Sequence, residues 1–93
     1  MDVNHVEGRN MGKVMLYALS GCPWCRKAKA LLNELQVEYS YVDVDKLQGE
    51  ERMEAMAEVE KWNPEVTFPS IVFEDSRIIV GFDEERIRER LNK

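Results

Sequence analysis

A strand–helix–strand pattern over residues 13–44 constrains the fold of this chain more than any other feature. Residues 13–18 are almost continuously apolar, which predicts a central strand covered on both faces. Residues 38–44 alternate and are rich in tyrosine and valine, which predicts a second strand. Between them, apolar residues recur at the spacing of one helical face: Ala28, Leu31, Leu32 and Leu35. Such a unit makes its two strands parallel and joins them by a right-handed crossover.

A second helix is predicted over residues 50–61. Met53, Met56 and Ala57 are expected to face the core, while the glutamates of the segment face solvent. The helix is expected to end at Asn63, because a proline follows, and proline disfavours the helical conformation in the residue before it.

Two short strands and a last helix are predicted towards the C-terminus. Residues 70–74 and 77–80 are expected to pair as an antiparallel hairpin around a tight turn. Asp83 is suited to cap the last helix, and Phe82 and Ile87 occupy the two positions of a hydrophobic staple. The predicted order is β-α-β-α-β-β-α, an α/β fold with a four-stranded mixed sheet flanked by three helices.

Length and composition are typical of a small globular domain. The 93 residues, 44% of them hydrophobic, suffice for one domain with a modest core. We expect the polar residues 1–12 to be a disordered tail or tag and residues 13–93 to form the domain. The net charge of −5 argues against a nucleic-acid surface. Without an apolar secretory or membrane-spanning run, a cytoplasmic monomer is expected, with no membrane contact.

Both cysteines of the chain lie in a Cys-Pro-Trp-Cys motif at residues 22–25, where the first helix should begin. Their spacing allows a disulfide, but the small ring that it closes adds little loop-closure stabilisation, so exchange chemistry explains the pair better. Helix N–H groups, Arg26 and Lys27 should lower the pKa of Cys22. Cys25 should be more buried and stay protonated. Cys22 would attack a substrate disulfide and Cys25 would resolve it, which makes Cys22–Cys25 a redox-active disulfide.

Metal binding is the alternative of a different class. A zinc site needs about four ligands, and the single histidine, His5, lies in the expected tail. An iron–sulfur cluster bridged between two chains, with Cys22 as a thiolate ligand, is the second hypothesis. The leading prediction has no metal and no cofactor besides the cysteine pair.

Three motifs follow one another at the boundaries of the predicted elements. They are Cys22-Pro23-Trp24-Cys25, Thr67-Phe68-Pro69 and Val80-Gly81-Phe82-Asp83. In this order they resemble the glutaredoxin family of the thioredoxin fold, and most of all its NrdH redoxins. The resemblance covers about residues 13–92. It implies a thiol–disulfide oxidoreductase that takes part in electron transport and cell redox homeostasis.

The resemblance implies a role for each matched residue. Cys22 matches the nucleophile and Cys25 the resolving thiol. Pro69 matches a proline with a cis peptide bond, which would turn the backbone of Phe68 towards a substrate for a short β-like pairing. Gly81 matches a glycine that lets the last loop approach the site closely. The expected substrate-binding residues are Trp24, Thr67, Phe68, Pro69, Gly81 and Phe82.

Two positions depart from the glutathione-using members of the family. Leu19 stands where those members usually carry a basic residue, and Val80-Gly81 stands where they tend to carry two glycines. Glutathione has two carboxylates that need cationic or N–H partners, although Asp83 and Glu84 could hold its amino group. The expected donor is therefore a flavin or iron–sulfur disulfide reductase. The expected clients are disulfide-containing proteins such as ribonucleotide reductase, and a glutathione-dependent glutaredoxin is the alternative.

Overall fold

The computed structural model describes residues 3–91 as five strands and three helices. The strands are β1 (Asn4–Val6), β2 (Val14–Ala18), β3 (Tyr39–Asp43), β4 (Ser70–Phe73) and β5 (Ile78–Val80). The helices are α1 (Pro23–Glu34), α2 (Gly49–Trp62) and α3 (Glu84–Leu91), and a short 3-10 turn, Val44–Lys46, follows β3. Residues 1–2 of the expected tail and residues 92–93 of the expected domain lie outside the described residues. The predicted order of elements is confirmed from β2 onwards.

The sheet is mixed, with the strand order β1-β3-β2-β4-β5. The central strand β2 pairs in parallel with β3, where Leu16 lies opposite Tyr41. On its other side β2 pairs antiparallel with β4, where Leu16 lies opposite Ile71, and β4 and β5 form the predicted hairpin. The parallel pair places the ends of β2 and β3 at the same edge of the sheet, where the cysteine motif begins.

Two apolar clusters lie on opposite faces of the sheet. Helices α1 and α3 cover one face, where Leu32 and Ile87 pack with Leu16 of β2 and all three have 0% exposure. Helix α2 covers the other face, where Val59 packs with Tyr17 of β2. Both faces of β2 are therefore covered, which explains its continuous apolar sequence. Burial of a leucine such as Leu32 stabilises the fold by about 1.5–3 kcal/mol.

The N-terminal segment is an ordered edge of the sheet, so the prediction of a disordered tail over residues 1–12 is wrong for its described part. Strand β1 pairs antiparallel with β3. After it, Gly8 lies so close to the chain just before β3 that a Cβ atom there would be 2.6 Å from the backbone of Val37. The Arg9 guanidinium donates to the carbonyl of Leu35 at 2.7 Å. Three paired residues are too few to show strand periodicity. The sequence therefore predicted four strands, whereas the sheet has five.

Helix α2 has the predicted position but presents a different face to the core. Met53 and Met56 are 72% and 38% exposed, whereas Ala55 and Val59 are fully buried. Ala57, which was also expected inside, is exposed. The small side chain of Ala55 lets the helix backbone lie close to the sheet, so Ala55 and Val59 face inward in place of the larger methionines.

None of the described helices is long and apolar enough to cross a membrane.

Candidate active site

Cys22 lies at the junction between β2 and α1, where it caps the helix. The N–H of Cys22 donates to the carbonyl of Leu19 at 3.2 Å, which closes the turn after β2. The Sγ atom of Cys22 accepts the N–H of Cys25 at 3.3 Å, as N-cap side chains do. Pro23 occupies the first helical position, where its missing N–H costs no hydrogen bond. The predicted start of the helix at the motif is confirmed.

The surroundings of Cys22 favour its thiolate form. Burial opposes ionisation, but the Cys25 thiol and the N–H groups of Cys25 and Trp24 outweigh it by hydrogen bonding. The guanidinium of Arg26 acts in the same direction, so the pKa of Cys22 lies below its ordinary value. The Cys22 thiol is also partly exposed, so a substrate sulfur can reach it.

Cys25 lies one turn further into α1 and is buried, with 0% exposure. Burial raises the pKa of Cys25 from its ordinary value of 9.0 to about 12. The N–H of Leu19, 3.4 Å from Sγ, opposes this shift, whereas the neighbouring Cys22 adds to it. Both cysteines are free thiols in this structure. The pair thus joins a reachable thiol that ionises readily to a buried thiol that stays protonated.

An aromatic surface lies beside Cys22. Trp24 is 55% exposed, and its ring stacks on Phe82 with 6.0 Å between the ring centroids and 25° between the planes. The ammonium of Lys27 lies 4.7 Å from the centroid of the Trp24 ring. Phe82 also packs against the core cluster that contains Ile87, in agreement with the predicted staple. Trp24 and Phe82 come from two separate motifs that were each predicted to bind substrate, and the structure shows that they contact each other.

The loop before β4 contains the predicted cis peptide bond, between Phe68 and Pro69. The carbonyl of Pro69 accepts the N–H of Gly81 at 2.8 Å, so the loop before α3 is joined to it. Within residues 3–91, neither the N–H nor the C=O of Phe68 takes part in a hydrogen bond. Both groups can therefore pair with an extended ligand. An open hollow is lined by five of the predicted substrate-binding residues: Trp24, Phe68, Pro69, Gly81 and Phe82.

Gly81 is needed for its backbone conformation and not for space. Its φ is +80°, a region that side-chain-bearing residues rarely adopt, whereas a Cβ atom there would meet nothing within 4 Å. The loop does lie close to the site, since Gly81 donates to the carbonyl of Pro69, but the positive φ and not the space for a side chain is what requires a glycine here. Thr67, the sixth predicted substrate-binding residue, does not line the hollow. Its hydroxyl accepts a hydrogen bond from Asn63 at 2.9 Å, which ties the loop before β4 to the end of α2.

Two polar pairs that support the site were not singled out from the sequence. The buried Asn63 donates to Ser70 Oγ at 3.3 Å, and the Ser70 hydroxyl donates to the carbonyl of Thr67 at 2.7 Å. At the other side, the carboxylate of Asp45 accepts two hydrogen bonds from Ser20 in the turn before Cys22. The second pair had a signal in the sequence, because β2 and β3 are parallel and the residues that follow them lie at one edge.

The side chains suggested for the amino group of glutathione are engaged within the protein. Asp83 Oδ1 accepts the N–H of Arg86 at 3.1 Å, which confirms the predicted helix cap. Glu84 Oε2 accepts the Nε–H of Arg88 at 2.8 Å. Val80, at the position where a second glycine was expected for glutathione users, is 47% exposed.

Among residues 3–91, neither cysteine belongs to a group of three side chains that could hold a metal ion. The one group of that kind in the described part of the chain is His5, Glu7 and Glu38, at the β1 side of the sheet. A zinc site at the cysteines would therefore need ligands from outside the described part of this chain.

Both the sequence and the fold of this chain are similar to those of known proteins. A model of the glutaredoxin family matches residues 14–78. Glutaredoxin 1 from Rickettsia bellii (strain RML369-C) is 39% identical over 72 residues, which are 76% of this chain and 70% of that protein.

Solved structures agree with this match over the whole fold. The glutaredoxin from Methanosarcina mazei Go1 has 48% sequence identity and a TM-score of 0.90, over 100% of this chain and 90% of that one. Methanosarcina acetivorans methanoredoxin has 45% identity and a TM-score of 0.89, over 92% and 90% of the two chains. The chain therefore belongs to the glutaredoxin family of redox proteins, with a thioredoxin-like fold that holds its two cysteines together.

Proposed function

We propose that the protein is a dithiol thiol–disulfide oxidoreductase in which Cys22 attacks and Cys25 resolves. The contrast between the two thiols carries this proposal. Cys22 is reachable at the helix N-terminus and has a lowered pKa, while Cys25 is buried three residues away with a pKa of about 12. An inert pair would not need the two thiols to differ in this way.

The reaction has two exchange steps. The Cys22 thiolate attacks one sulfur of a substrate disulfide, forms a mixed disulfide with it and releases the other sulfur as a thiolate that takes up a proton. The Cys25 thiol then loses its proton and attacks Cys22 Sγ, which forms the Cys22–Cys25 disulfide and releases the second substrate thiol. Two electrons pass from the cysteine pair to the substrate, and no bound cofactor is required.

Protein disulfides are the substrates that the surface around Cys22 fits best. The unpaired N–H and C=O of Phe68 can extend a short β-like pairing to a backbone next to the substrate cysteine. The stacked rings of Trp24 and Phe82 offer a flat apolar contact, which is typical of a protein interface. A monomer in the reducing cytoplasm, as the composition suggested, is compatible with a pair that works as free thiols.

We infer an enzymatic electron donor, as in NrdH redoxins, with a flavin or iron–sulfur disulfide reductase reducing the pair. The Leu19 side chain supplies no charge for a glutathione carboxylate. Asp83 and Glu84 already hold partners within α3, so they are poor candidates for its amino group. Ribonucleotide reductase is the protein client that this branch of the family suggests.

Glutathione is the second candidate donor, because the curated relative from Rickettsia bellii is named glutaredoxin 1. The free backbone groups of Phe68 could also pair with a tripeptide.

Reduction of insulin disulfides tests the dithiol mechanism. Cys22→Ser should abolish it, whereas Cys25→Ser should accumulate a mixed disulfide that mass spectrometry detects. Full activity in Cys22→Ser would contradict the proposal.

Two reducing systems then identify the donor. With NADPH, we expect a thioredoxin-reductase-type enzyme to support faster turnover than glutathione with glutathione reductase. Leu19→Lys is the informative variant, because it restores a cation and should raise the glutathione-dependent rate by about threefold to tenfold. A wild-type protein that glutathione reduces as fast as the enzyme does would show that the second candidate is the right one.

A further inference from the structure

Asp45 joins the 3-10 turn after β3 to the loop that leads into the cysteine motif. Its Oδ1 accepts the backbone N–H of Ser20 at 2.8 Å, and its Oδ2 accepts the Ser20 hydroxyl at 2.5 Å. Both carboxylate oxygens are thus used on a single residue that lies two positions before Cys22. Charge-assisted hydrogen bonds of this kind are stronger than neutral ones, although solvent reaches this pair.

Ser20 is adjacent to the residue that contacts both cysteines. The Leu19 N–H points at Cys25 Sγ at 3.4 Å, and the Leu19 carbonyl accepts the N–H of Cys22 at 3.2 Å. The Leu19–Ser20 peptide contains that carbonyl and the Ser20 N–H, and it is joined through the Leu19 Cα atom to the peptide whose N–H points at Cys25. A shift of the Leu19–Ser20 peptide therefore also turns the donor away from the buried thiol. From the 3-10 turn after β3, Asp45 accepts the Ser20 N–H of the Leu19–Ser20 peptide and so holds that peptide in place.

We propose that Asp45 is a positioning residue for the resolving step, because it holds the Leu19 N–H on the Cys25 sulfur. The inference rests on the proposed function, since it assigns a partner to the step in which Cys25 acts. Asp45 contacts neither the substrate nor the reacting sulfurs.

The resolving step is where this N–H has its effect. Cys25 must lose its proton before its sulfur attacks Cys22 Sγ, forms the internal disulfide and expels the substrate thiolate, which takes up the proton. A hydrogen bond from Leu19 stabilises the Cys25 thiolate. The charge of Lys29, whose ammonium pairs with Asp43 at 2.9 Å, also favours the Cys25 thiolate. Replacing Asp45 leaves this ion pair in place, so the substitution tests the Leu19 hydrogen bond.

The charge of Asp45 would have the opposite effect on its own. A carboxylate near the cysteines disfavours a thiolate, so a purely electrostatic role predicts that its removal speeds resolution. A positioning role predicts that removal slows it. The Ser20 hydroxyl and N–H hold the pKa of Asp45 below its ordinary value, so the carboxylate is ionised and able to accept both bonds at neutral pH.

The reaction of the reduced protein with Ellman's reagent separates the two steps. Attack by Cys22 releases the first thionitrobenzoate at a rate proportional to reagent concentration. Attack by Cys25 on the mixed disulfide releases the second at a rate independent of it. Asp45→Ala should slow the second release by about threefold to tenfold, because loss of the hydrogen bond lowers the thiolate fraction more than it raises nucleophilicity. Its pH profile should shift upwards, while the first release changes by less than about twofold.

Asp45→Asn is the matched control. Its amide oxygen can accept the Ser20 N–H, and its amide group can donate to the Ser20 oxygen, so the loop is held without the charge. We expect its second release to stay within about twofold of the wild type. An unchanged or faster second release in Asp45→Ala, or equal slowing in Asp45→Asn, would overturn the positioning role.

Two further variants keep the test decisive. Ser20→Ala removes one of the two bonds and should slow the second release by about threefold, beyond the range expected of Asp45→Asn, so it serves if Asp45→Ala fails to fold. Cys25→Ser should release the first thionitrobenzoate alone. If Cys25→Ser releases both, the proposed function is wrong. If it behaves as expected while Asp45→Ala and Ser20→Ala resolve like the wild type, the inference about Asp45 is wrong by itself.

Discussion

Helices α1 and α2 have similar lengths, 12 and 14 residues, but are anchored to the sheet very differently. Helix α1 buries Cys25, Ala28, Leu31 and Leu32. Helix α2 buries Ala55 and Val59 and exposes two methionines. Helix α1 also begins with a side-chain cap, whereas the cap residue of α2, Gln48, makes no such bond. The reactive pair thus lies at the start of the more firmly held of these two helices.

This difference links the chemistry to the packing. Cys25 belongs to the apolar stripe of α1, so the contacts that anchor the helix are also those that keep one thiol protonated. Helix α2 carries no group of this kind, and its outer surface can change without disturbing the cysteines. Four experiments can break or sharpen this comparison.

The largest expected effect is the difference in alkylation between the two thiols of α1. In the reduced protein at about pH 8, iodoacetamide should modify Cys22 at least about a hundredfold faster than Cys25, since the thiolate is the reacting form. Peptide mapping by mass spectrometry after short exposure measures the ratio. Similar rates at the two positions in the folded protein would show that Cys25 is not held in the core. The same reaction in urea is the control, where the two rates should converge.

The sequence was sufficient to predict the elements whose apolar residues follow a regular pattern. The leucines of α1 and the continuous strand β2 predicted the central unit, because their periodicity reports burial directly. Strand β1 was missed, since three residues show no period and the segment after it depends on Gly8 lying against the backbone of Val37. The inward face of α2 was misjudged because side-chain size favoured Met53 over Ala55, whereas close packing on the sheet favours the smaller residue.

The candidate site was predicted from motifs and completed by contacts over long sequence distances. The motif at residues 22–25 and the cap at Asp83 were predictable from local chemistry, whereas the cis bond at Pro69 was predicted from the resemblance to the glutaredoxin family. The hydrogen bonds of Asp45 to Ser20 span 25 residues and depend on the register of two parallel strands. The sequence could indicate that these residues share an edge, but not that they meet.

Truncation of one core residue on each helix should show which helix contributes more to the free energy of unfolding. Leu32→Ala on α1 should lower the free energy of unfolding by about 2–5 kcal/mol, because it leaves a cavity in a fully buried region. Val59→Ala on α2 should cost about 1–3 kcal/mol, since fewer methyl groups are lost. Urea titration monitored by circular dichroism measures both. A larger loss for Val59→Ala than for Leu32→Ala would reverse the ranking of the helices.

The pH dependence of stability should show the buried thiol of α1. The folded-state pKa of Cys25 is raised from 9.0 to about 12, so the folded chain retains a proton that the unfolded chain loses in this window. Stability of the reduced protein should therefore fall above pH 9.0, by up to about 1.4 kcal/mol per pH unit from this group. The lowered pKa of Cys22 acts with the opposite sign, because it adds stability as the pH rises towards the ordinary value. Urea titrations with a non-thiol reductant measure the slope, and Cys25→Ser should remove most of the fall. An equal slope in that variant would mean that other groups cause it.

The smallest effect is expected on the outer surface of α2. Met53→Ala should change the free energy of unfolding by less than about 0.5 kcal/mol, because a side chain that is 72% exposed buries little on folding and alanine favours a helix. Thermal and urea unfolding measure the change, and Ala55→Leu is the contrasting variant at a fully buried position of the same helix. That variant should destabilise the fold by about 1–3 kcal/mol, since the larger side chain would push the helix away from the sheet. If Met53→Ala costs more than Ala55→Leu, the methionines face the core and the described orientation of α2 is incorrect.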